Sequence, residues 1–220
     1  MPYRYDRHLP ARRRHVKVDF KKSLSCYKAT SGRFDVIEVP PLNYLMVDGE
    51  GAPGDTAHAD AIEALYPMAY TLKFKSKVDL GRDYVVPPLE GLWWADDMRS
   101  FTTDRNPSKW HWSMMIMLPD WLKDADVEAA KGVVADKKSV PTALGRVDLR
   151  RLEEGTAFQT LHIGSFDDEG PVLEELHNEV IPSRGFVMTQ HHHEIYLSDF
   201  RRVTPEKLRT ILRQPVAPAA

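Results

Sequence analysis

The stretch RFDVIEVPPLNYLMVDGEG, residues 33–51, sets the pattern from which the fold is predicted. It holds two apolar runs separated by Pro40 and Pro41, and it ends in a glycine-rich turn. Proline has no backbone N–H to donate to a neighbouring strand, so the two runs are expected to form two strands with a break between them. The folded part of the chain is therefore predicted to open with a pair of strands.

A helix and two further strands are predicted after this turn. Apolar residues recur at helical spacing from Asp55 or Thr56, the expected N-cap, to about Lys75. Pro67 is expected to kink this helix. Two later stretches, rich in aromatic and branched residues, are predicted to be strands: DYVVPPLEGLWWADD and KWHWSMMIMLP. The order is thus strand, strand, helix, strand, strand.

The same order recurs in the second half of the chain, after a connecting helix predicted around Ala125–Lys137. Strands are predicted at RVDLRRLEEG and FQTLHIGSFDD, a helix begins near Pro171, and two more strands follow at HHEIYLSD and KLRTILRQPV. Two halves with the same order of elements indicate an internal duplication, although their residues have diverged.

The duplication predicts an α+β fold built from two strand-helix-strand-strand modules related by a pseudo-twofold. The modules are expected at about 33–120 and 145–215, joined by a helix, within a single domain over 16–220 that follows a basic N-terminal tail at 1–15. Each helix is expected to cover one face of its sheet. The two remaining faces are then expected to meet around a central ligand cleft.

Composition excludes several classes of protein. The chain has 220 residues, 42% of them apolar, and no uninterrupted apolar run long enough for a membrane span, so a cytoplasmic protein without a membrane partner is expected. Its only cysteine, Cys26, forms neither an internal disulfide nor a thiolate cluster. A net charge of -2, with both signs mixed along the chain, argues against a nucleic-acid partner.

Alternation along a predicted strand selects the side chains that face the cleft. In QHHHEIYLSD, residues 190–199, one side of the strand carries His192, Glu194, Tyr196 and Ser198. The other side carries His191, His193, Ile195 and Leu197. Ile195 and Leu197 are expected to pack against the covering helix. Glu194 and Tyr196 are therefore predicted to face the cleft.

The same rule predicts an aromatic wall in the first half. It groups Glu90, Leu92 and Trp94 on one face with Trp93 on the other, and it groups Trp110, Trp112, Met114 and Ile116. Tryptophans in strands are usually core residues, but four of them lie within 93–112, near Glu90. An indole-lined pocket desolvates a carboxylate and raises its pKa towards the range of a general base. Glu194 and Glu90 are thus better candidates for a general base than any exposed glutamate.

The three histidines at 191–193 raise the alternative of a metal site. Zinc takes three or four protein ligands, so His192 and Glu194 would need a third from His162, and no spacing motif supports this. No metal is therefore predicted, and His191 and His193 are interpreted as partly exposed side chains at a strand end. The sequence also has no G-x-S-x-G elbow and no phosphate loop, so no cofactor is predicted.

Several stretches together resemble the GyrI-like small-molecule-binding superfamily, in particular its stand-alone bacterial branch. The most distinctive are YVVPPLEGLWW and HHEIYLSD, and others are FDVIEVPPLNYLMVDGEGAPGD, KWHWSMMIMLPDW and LHIGSFDDEGPVLEEL. The resemblance spans about 16–215 and implies two modules about a pseudo-twofold, with a ligand cleft between them. In regulators of this superfamily a buried glutamate and aromatic rings bind flat, lipophilic, often cationic molecules. The matching glutamate here is Glu194, with Tyr196 beside it.

The resemblance also implies an activity, because some stand-alone members are cyclopropanoid cyclopropyl hydrolases. These enzymes open the spiro-cyclopropane of DNA-alkylating natural products by adding water, without a cofactor. In this chain, Glu194 is expected to activate the water, with Glu90 as the reserve base. Tyr196 or His162 is expected to stabilise the charge on the substrate oxygen. The flat substrate is expected to stack among a set of side chains comprising Tyr70, Trp93, Trp94, Trp112, Met114 and His192.

Two other functions remain open at the level of the sequence. A binding protein of the same superfamily would sequester lipophilic compounds without transforming them. Relatives that inhibit a topoisomerase bind a protein partner, but the sequence offers no clear acidic or apolar docking surface for one. The chain also lacks the DNA-binding extension of the regulators, which makes direct control of transcription doubtful.

Overall fold

A computed structural model describes residues 16–101 and 104–219, so the predicted tail at 1–15 lies outside the described residues. Within this part of the chain nine antiparallel strands form one sheet. The strands are β1 (Asp35–Val39), β2 (Leu42–Glu50), β3 (Leu89–Trp94), β4 (His111–Leu118), β5 (Asp148–Leu152), β6 (Gly155–Ile163), β7 (Phe186–Met188), β8 (His192–Tyr196) and β9 (Arg209–Pro218). The helices are α1 (Phe20–Ser23), α2 (Thr56–Asp79), α3 (Asp124–Ala135), α4 (Gly170–Glu174) and α5 (Ile181–Ser183), with a π turn at Glu175–Val180 between the last two.

The order of strands shows the pseudo-twofold. Across the sheet it is β1-β6-β9-β8-β3-β4-β2-β5, with β7 pairing with the far end of β9. The counterparts of β1, β2, β3 and β4 are β5, β6, β8 and β9. Replacing each strand by its counterpart reverses the order, so the pseudo-twofold axis lies between β3 and β8. The first strand of each half lies at the edge of the other half, since β1 pairs with β6 and β5 pairs with β2. The predicted α+β fold is confirmed, and its two modules share one sheet.

Both helical covers lie on the same face of this sheet, which we call the helical face. Helix α2 packs over β2 and β4, in a core that includes Leu65, Met68, Val47 and Ile116. The segment from α4 to α5 packs over β6 and β9, in a second cluster that comprises Phe158, Leu176, Ile181 and Val216. Cross-strand pairing puts all these strand residues on one face. The predicted arrangement, with two uncovered faces meeting around the cleft, is therefore wrong.

The central strands β3 and β8 lie between the two helical covers, so the cleft is the gap between the covers. The opposite face is covered in part by the segment at 20–30, which contains α1. Here Tyr27 packs with Ile195 and Met115, and Leu197 borders the same cluster. The expectation that Ile195 and Leu197 face a helix is therefore wrong, and it is Glu194 and Tyr196 whose face the helices cover.

The two covers differ in regularity. Helix α2 continues through Pro67 and reaches Asp79 rather than Lys75. The second cover begins as predicted near Pro171, but it widens into the π turn after Glu174. A π turn fits an additional residue into a helical turn and is often found at functional sites. In this protein it directs His177 towards the sheet, where the ring lies 5.5 Å from that of His192.

Candidate functional site

The site is organised around Glu194, which lies on β8 between the two helical covers. The Tyr196 hydroxyl donates a hydrogen bond of 2.8 Å to the Glu194 carboxylate. The Trp93 indole N–H in turn donates to the Tyr196 oxygen over 3.0 Å. Within the described residues no lysine or arginine pairs with Glu194, and His192 Nε2 lies 3.7 Å from its Oε1. The carboxylate is thus held by neutral donors alone.

Burial sets the protonation of this cluster. Burial raises the pKa of Glu194 to about 7, against the opposing effect of the Tyr196 hydrogen bond. Burial, with the neighbouring His177 and His193, keeps the pKa of His192 well below its usual range. At neutral pH, His192 is therefore uncharged and Glu194 is close to half ionised. A carboxylate in this state is suited to take a proton from a bound water.

Gly91 makes room for the side chains of Trp93 and Tyr196. It pairs with Glu194 across β3 and β8, so its missing side chain would lie on the helical face. A Cβ atom at this position would lie 2.9 Å from Trp93 Nε1 and 3.0 Å from the Tyr196 hydroxyl. A glycine in the centre of LEGLWW therefore allows the indole and the phenol to meet above the strand, a role that the sequence analysis missed.

Several buried polar atoms near Glu194 have no hydrogen-bond partner in the part of the chain that the structure describes. They are both ring nitrogens of His192, Nε2 of His177 and Oε1 of Glu169. Most buried polar groups in folded proteins are paired, so a group of unpaired ones in one cleft indicates a surface that accepts polar groups of a ligand. His177 was missed because the predicted helix pattern gives no sign of the π turn.

Glu169 is a second buried carboxyl of the site. It precedes α4 and is only 4% exposed. Burial and the charge of Glu194 both raise its pKa well above the usual range, while a hydrogen bond from Thr210 acts in the opposite direction. Its sequence context, SFDDEG, resembles an ordinary solvated acidic turn, so Glu169 was not among the predicted site residues.

The structure brings together Glu194, Tyr196, Trp93 and His192 of the predicted site residues. Trp112 and Met114 share their face but are fully buried beneath α2. The Trp112 ring packs directly over Gly49, where an added Cβ would clash with it. These two residues therefore form the floor under the site and not its wall.

Two predicted stacking residues lie elsewhere. Trp94 is on the opposite face, where it stacks between His191 at 4.2 Å and His111 at 5.8 Å. It borders an open cavity of about 590 Å³ on that face. Tyr70 lies on α2 with 48% of its surface exposed. The prediction that Tyr70, Trp94 and Trp112 stack together on one flat substrate is therefore wrong, because they do not share one wall.

Glu90 also lies on the opposite face and cannot serve as a reserve base in the cleft. It accepts hydrogen bonds from Tyr27 at 2.5 Å and from His193 at 3.0 Å. The other ring nitrogen of His193 contacts Glu154 at 2.9 Å, and Arg213 donates to Glu154 at 2.7 Å. His193 is completely buried in this network, which corrects its interpretation as a partly exposed residue, while His191 is exposed as expected.

His162 lies on the helical face but is engaged within its own turn. Its Nε2 lies 3.0 Å from the carbonyl oxygen of Ser165, which can only accept, so Nε2 carries the proton and donates it. Strand β9 separates His162 from Tyr196, since Thr210 pairs with both. The predicted role of His162 as a donor to the substrate oxygen has no support from this geometry.

Two other features are absent from the described residues. No group of three or more His, Cys, Asp or Glu side chains there is arranged to hold a metal ion. Within the same ranges, no helix has both the length and the apolar character that a bilayer span requires.

A buried carboxylate in a gap between two helices, above an antiparallel sheet, defines an α+β small-molecule-binding domain. The model of the GyrI-like small molecule binding domain matches residues 33–217, and the chain belongs to this family.

Solved structures from Listeria innocua are similar over most of the chain. An uncharacterized conserved protein is 37% identical, with a TM-score of 0.83, and covers 91% of this chain and 100% of its own. A protein described as a hydrolase is also 37% identical, with a TM-score of 0.79 and the same coverage. Another hydrolase, encoded by lin2189, is 36% identical, with a TM-score of 0.80, and covers 92% of this chain and 100% of its own. None of the curated proteins compared with the chain matches it.

Proposed function

We propose that this protein binds flat, lipophilic small molecules in the cleft and hydrolyses cyclopropanoid genotoxins by adding water to the strained ring. The observation that carries the proposal is the state of Glu194, whose side chain is only 14% exposed, pairs with no cation among the described residues, and has a pKa raised to about 7. Two of the similar Listeria proteins are described as hydrolases, which supports a hydrolytic reaction.

In the proposed reaction Glu194 takes a proton from a water molecule that attacks the cyclopropane methylene. Tyr196 positions Glu194, since its only hydroxyl hydrogen is donated to that carboxylate. Trp93, rather than Trp94, offers the indole beside the reacting atoms. Holding the water against an already strained ring supplies much of the rate enhancement by positioning.

Binding without turnover is the second candidate, and the same carboxylate favours it. A buried anion without a cationic partner is costly, so a lipophilic cation that enters the cleft would be stabilised by Glu194. A sequestering protein of this kind would bind such a compound saturably and release it chemically unchanged.

Incubation with a cyclopropane-bearing alkylator, followed by mass spectrometry, distinguishes the two candidates. We expect the wild-type protein to produce the water adduct, and Glu194→Gln to slow its formation by about 10²–10⁴-fold, the usual contribution of a general base. Glu128→Gln, at an exposed position on α3, is the matched control and should leave the rate unchanged. Unchanged turnover by a folded Glu194→Gln protein would show that Glu194 is not the base.

A further inference from the structure

The proposed reaction requires a group that neutralises the substrate oxygen, and the two residues predicted for this role are engaged elsewhere. Tyr196 donates its hydroxyl hydrogen to Glu194, and His162 donates from Nε2 to the carbonyl of Ser165. Neutral His192 has a free N–H, but a neutral imidazole is far too weak an acid to give up that proton near pH 7. A different acid is needed.

Glu169 lies at the right place in the cleft. Thr210 lies beside its carboxyl, and Thr210 faces Tyr196 across β9 and β8. The turn that carries Glu169 also packs on Tyr196, because the Phe166 ring lies edge-on to the tyrosine at 5.6 Å. Tyr196 is therefore close to the carboxyls of both Glu169 and Glu194. Glu169 Oε1 has no hydrogen-bond partner among the described residues.

We propose that Glu169 is the general acid of the reaction, and that it gives its proton to the substrate oxygen on which negative charge develops as the ring opens. This inference rests on the proposed function. It assigns the two buried carboxyls different tasks, with Glu194 facing the water and Glu169 facing the carbonyl end of the substrate. The substrate class is accordingly a cyclopropane conjugated to a carbonyl group.

The electron and proton balance of this step closes with water as the only co-reactant. The water oxygen forms a bond to the cyclopropane methylene, and the ring C–C bond breaks. Its electron pair moves through the conjugated system to the carbonyl oxygen, which accepts the proton from Glu169. Glu194 takes the proton that the water loses. Return of one proton from Glu194 to Glu169, directly or through solvent, restores both carboxyls.

The surroundings of Glu169 keep its carboxyl protonated when that of Glu194 is ionised. The titratable groups that face it are Glu194 and Tyr196 from β8, His162 from β6, and Asp167 from its own turn. No lysine or arginine of the described residues forms an ion pair with it. Two carboxyls that share one cavity without a cation hold one proton between them over a wide pH range.

The test uses two spirocyclopropyl cyclohexadienone probes, one unsubstituted and one carrying ring fluorines that stabilise the phenolate product. Loss of a general acid slows the reaction of the unsubstituted probe more, because its product oxygen is more basic. We expect Glu169→Gln to slow the unsubstituted probe by about 10²–10⁴-fold and the fluorinated probe by at least about tenfold less. Glu175→Gln, at an exposed position in the π turn, is the matched control.

The pH profile supplies a second measurement that a merely structural role would not change. Wild-type activity should fall at alkaline pH as Glu169 ionises, Glu169→Gln should lack this fall, and Glu169→Asp, which keeps an acid, should regain it in part. Equal slowing of the two probes, or an alkaline fall that persists in Glu169→Gln, overturns the acid role. Wild-type protein that transforms neither probe overturns the proposed function, and the acid role with it. If Glu169→Gln transforms the unsubstituted probe at the wild-type rate, the acid role alone is overturned.

Discussion

Two carboxylates, the buried Glu90 and the largely buried Glu194, lie on opposite faces of the paired strands β3 and β8, and only one of them has cations in its network. Glu90 belongs to a network that alternates acids and bases, in which His193 links it to Glu154 and Arg213. The charges of His193 and Arg213 overcome the effect of burial and hold the pKa of Glu154 at about 2. Glu194 has no such cation, and burial raises its pKa to about 7.

The difference separates a structural cluster from a reactive one. In the Glu90 network the polar atoms are paired, and Arg213 also donates to the backbone oxygen of Cys26, which fixes the covering segment at 20–30. In the Glu194 cluster, by contrast, the nearby atoms of His192 and Glu169 are unpaired. A network with every partner present stabilises one conformation, whereas an unpaired one remains available to a ligand.

The largest expected effect comes from removing the cation of the structural cluster. Arg213→Met leaves the buried carboxylate of Glu154 with His193 alone, and we expect a loss of about 3–5 kcal/mol in the free energy of unfolding, measured by urea denaturation. Arg209→Met, exposed on the same strand, should change stability by less than about 0.5 kcal/mol. If the two variants proved equally stable, the Glu90 network would not be the structural cluster.

The next effect concerns Glu194 itself, whose replacement is expected to raise the free energy of unfolding and not to lower it. Its pKa is raised from 4.5 to about 7, so the unfolded chain ionises first and wild-type stability falls as pH rises through this window. Glu194→Gln removes this fall. At about 1.4 kcal/mol per pKa unit, the variant should gain up to about 3 kcal/mol relative to wild type between pH 5 and pH 8. Urea denaturation across that range checks it, and parallel pH curves for the two proteins would contradict it.

A smaller effect on stability is expected at Gly91, where the backbone of β3 lies against the site. Gly91→Ala places a Cβ against the Trp93 indole and the Tyr196 hydroxyl, and overpacking of this kind costs about 1–3 kcal/mol. The matched variant Gly132→Ala, in an exposed part of α3 with open space around the added Cβ, should instead stabilise the protein by about 0.5–1 kcal/mol. Thermal unfolding of both variants gives the comparison, and a neutral Gly91→Ala would show that the indole and phenol are not fixed in place.

The smallest effect tests the hydrogen bond to Glu194. Tyr196→Phe removes a donor that favours the charged carboxylate, a bond worth about 0.5–1.5 kcal/mol. The pKa of Glu194 should then rise further, by up to about one unit, and the acidic limb of the activity profile should move to higher pH. Phe166→Leu, which alters the packing on Tyr196 without touching that bond, is the control. An acidic limb that stays in place would separate Tyr196 from the protonation of Glu194.

Alternation along β8 was enough to predict which residues accompany Glu194, because the side-chain period of a strand does not depend on its surroundings. It did not reveal which face the helices cover, since that depends on how the two halves join. The same limitation led to the wrong partners for Ile195 and the wrong position for Glu90. The partners of His193 lie 103, 39 and 20 positions away along the chain, so its burial followed only from the pairing of β8 with its neighbours.

The exchange of the first strands between halves has a consequence for how the chain folds. Strand β1 is held by β6, and the Thr156 hydroxyl donates to Glu38 across 118 positions of sequence. The β5–β2 pair links the halves in the same way at the other edge. The chain loses the entropy of loop closure over such distances before the stabilising contacts form, and this slows folding. Neither half completes its own edge, so a nascent chain should gain its stable sheet only when both halves are present.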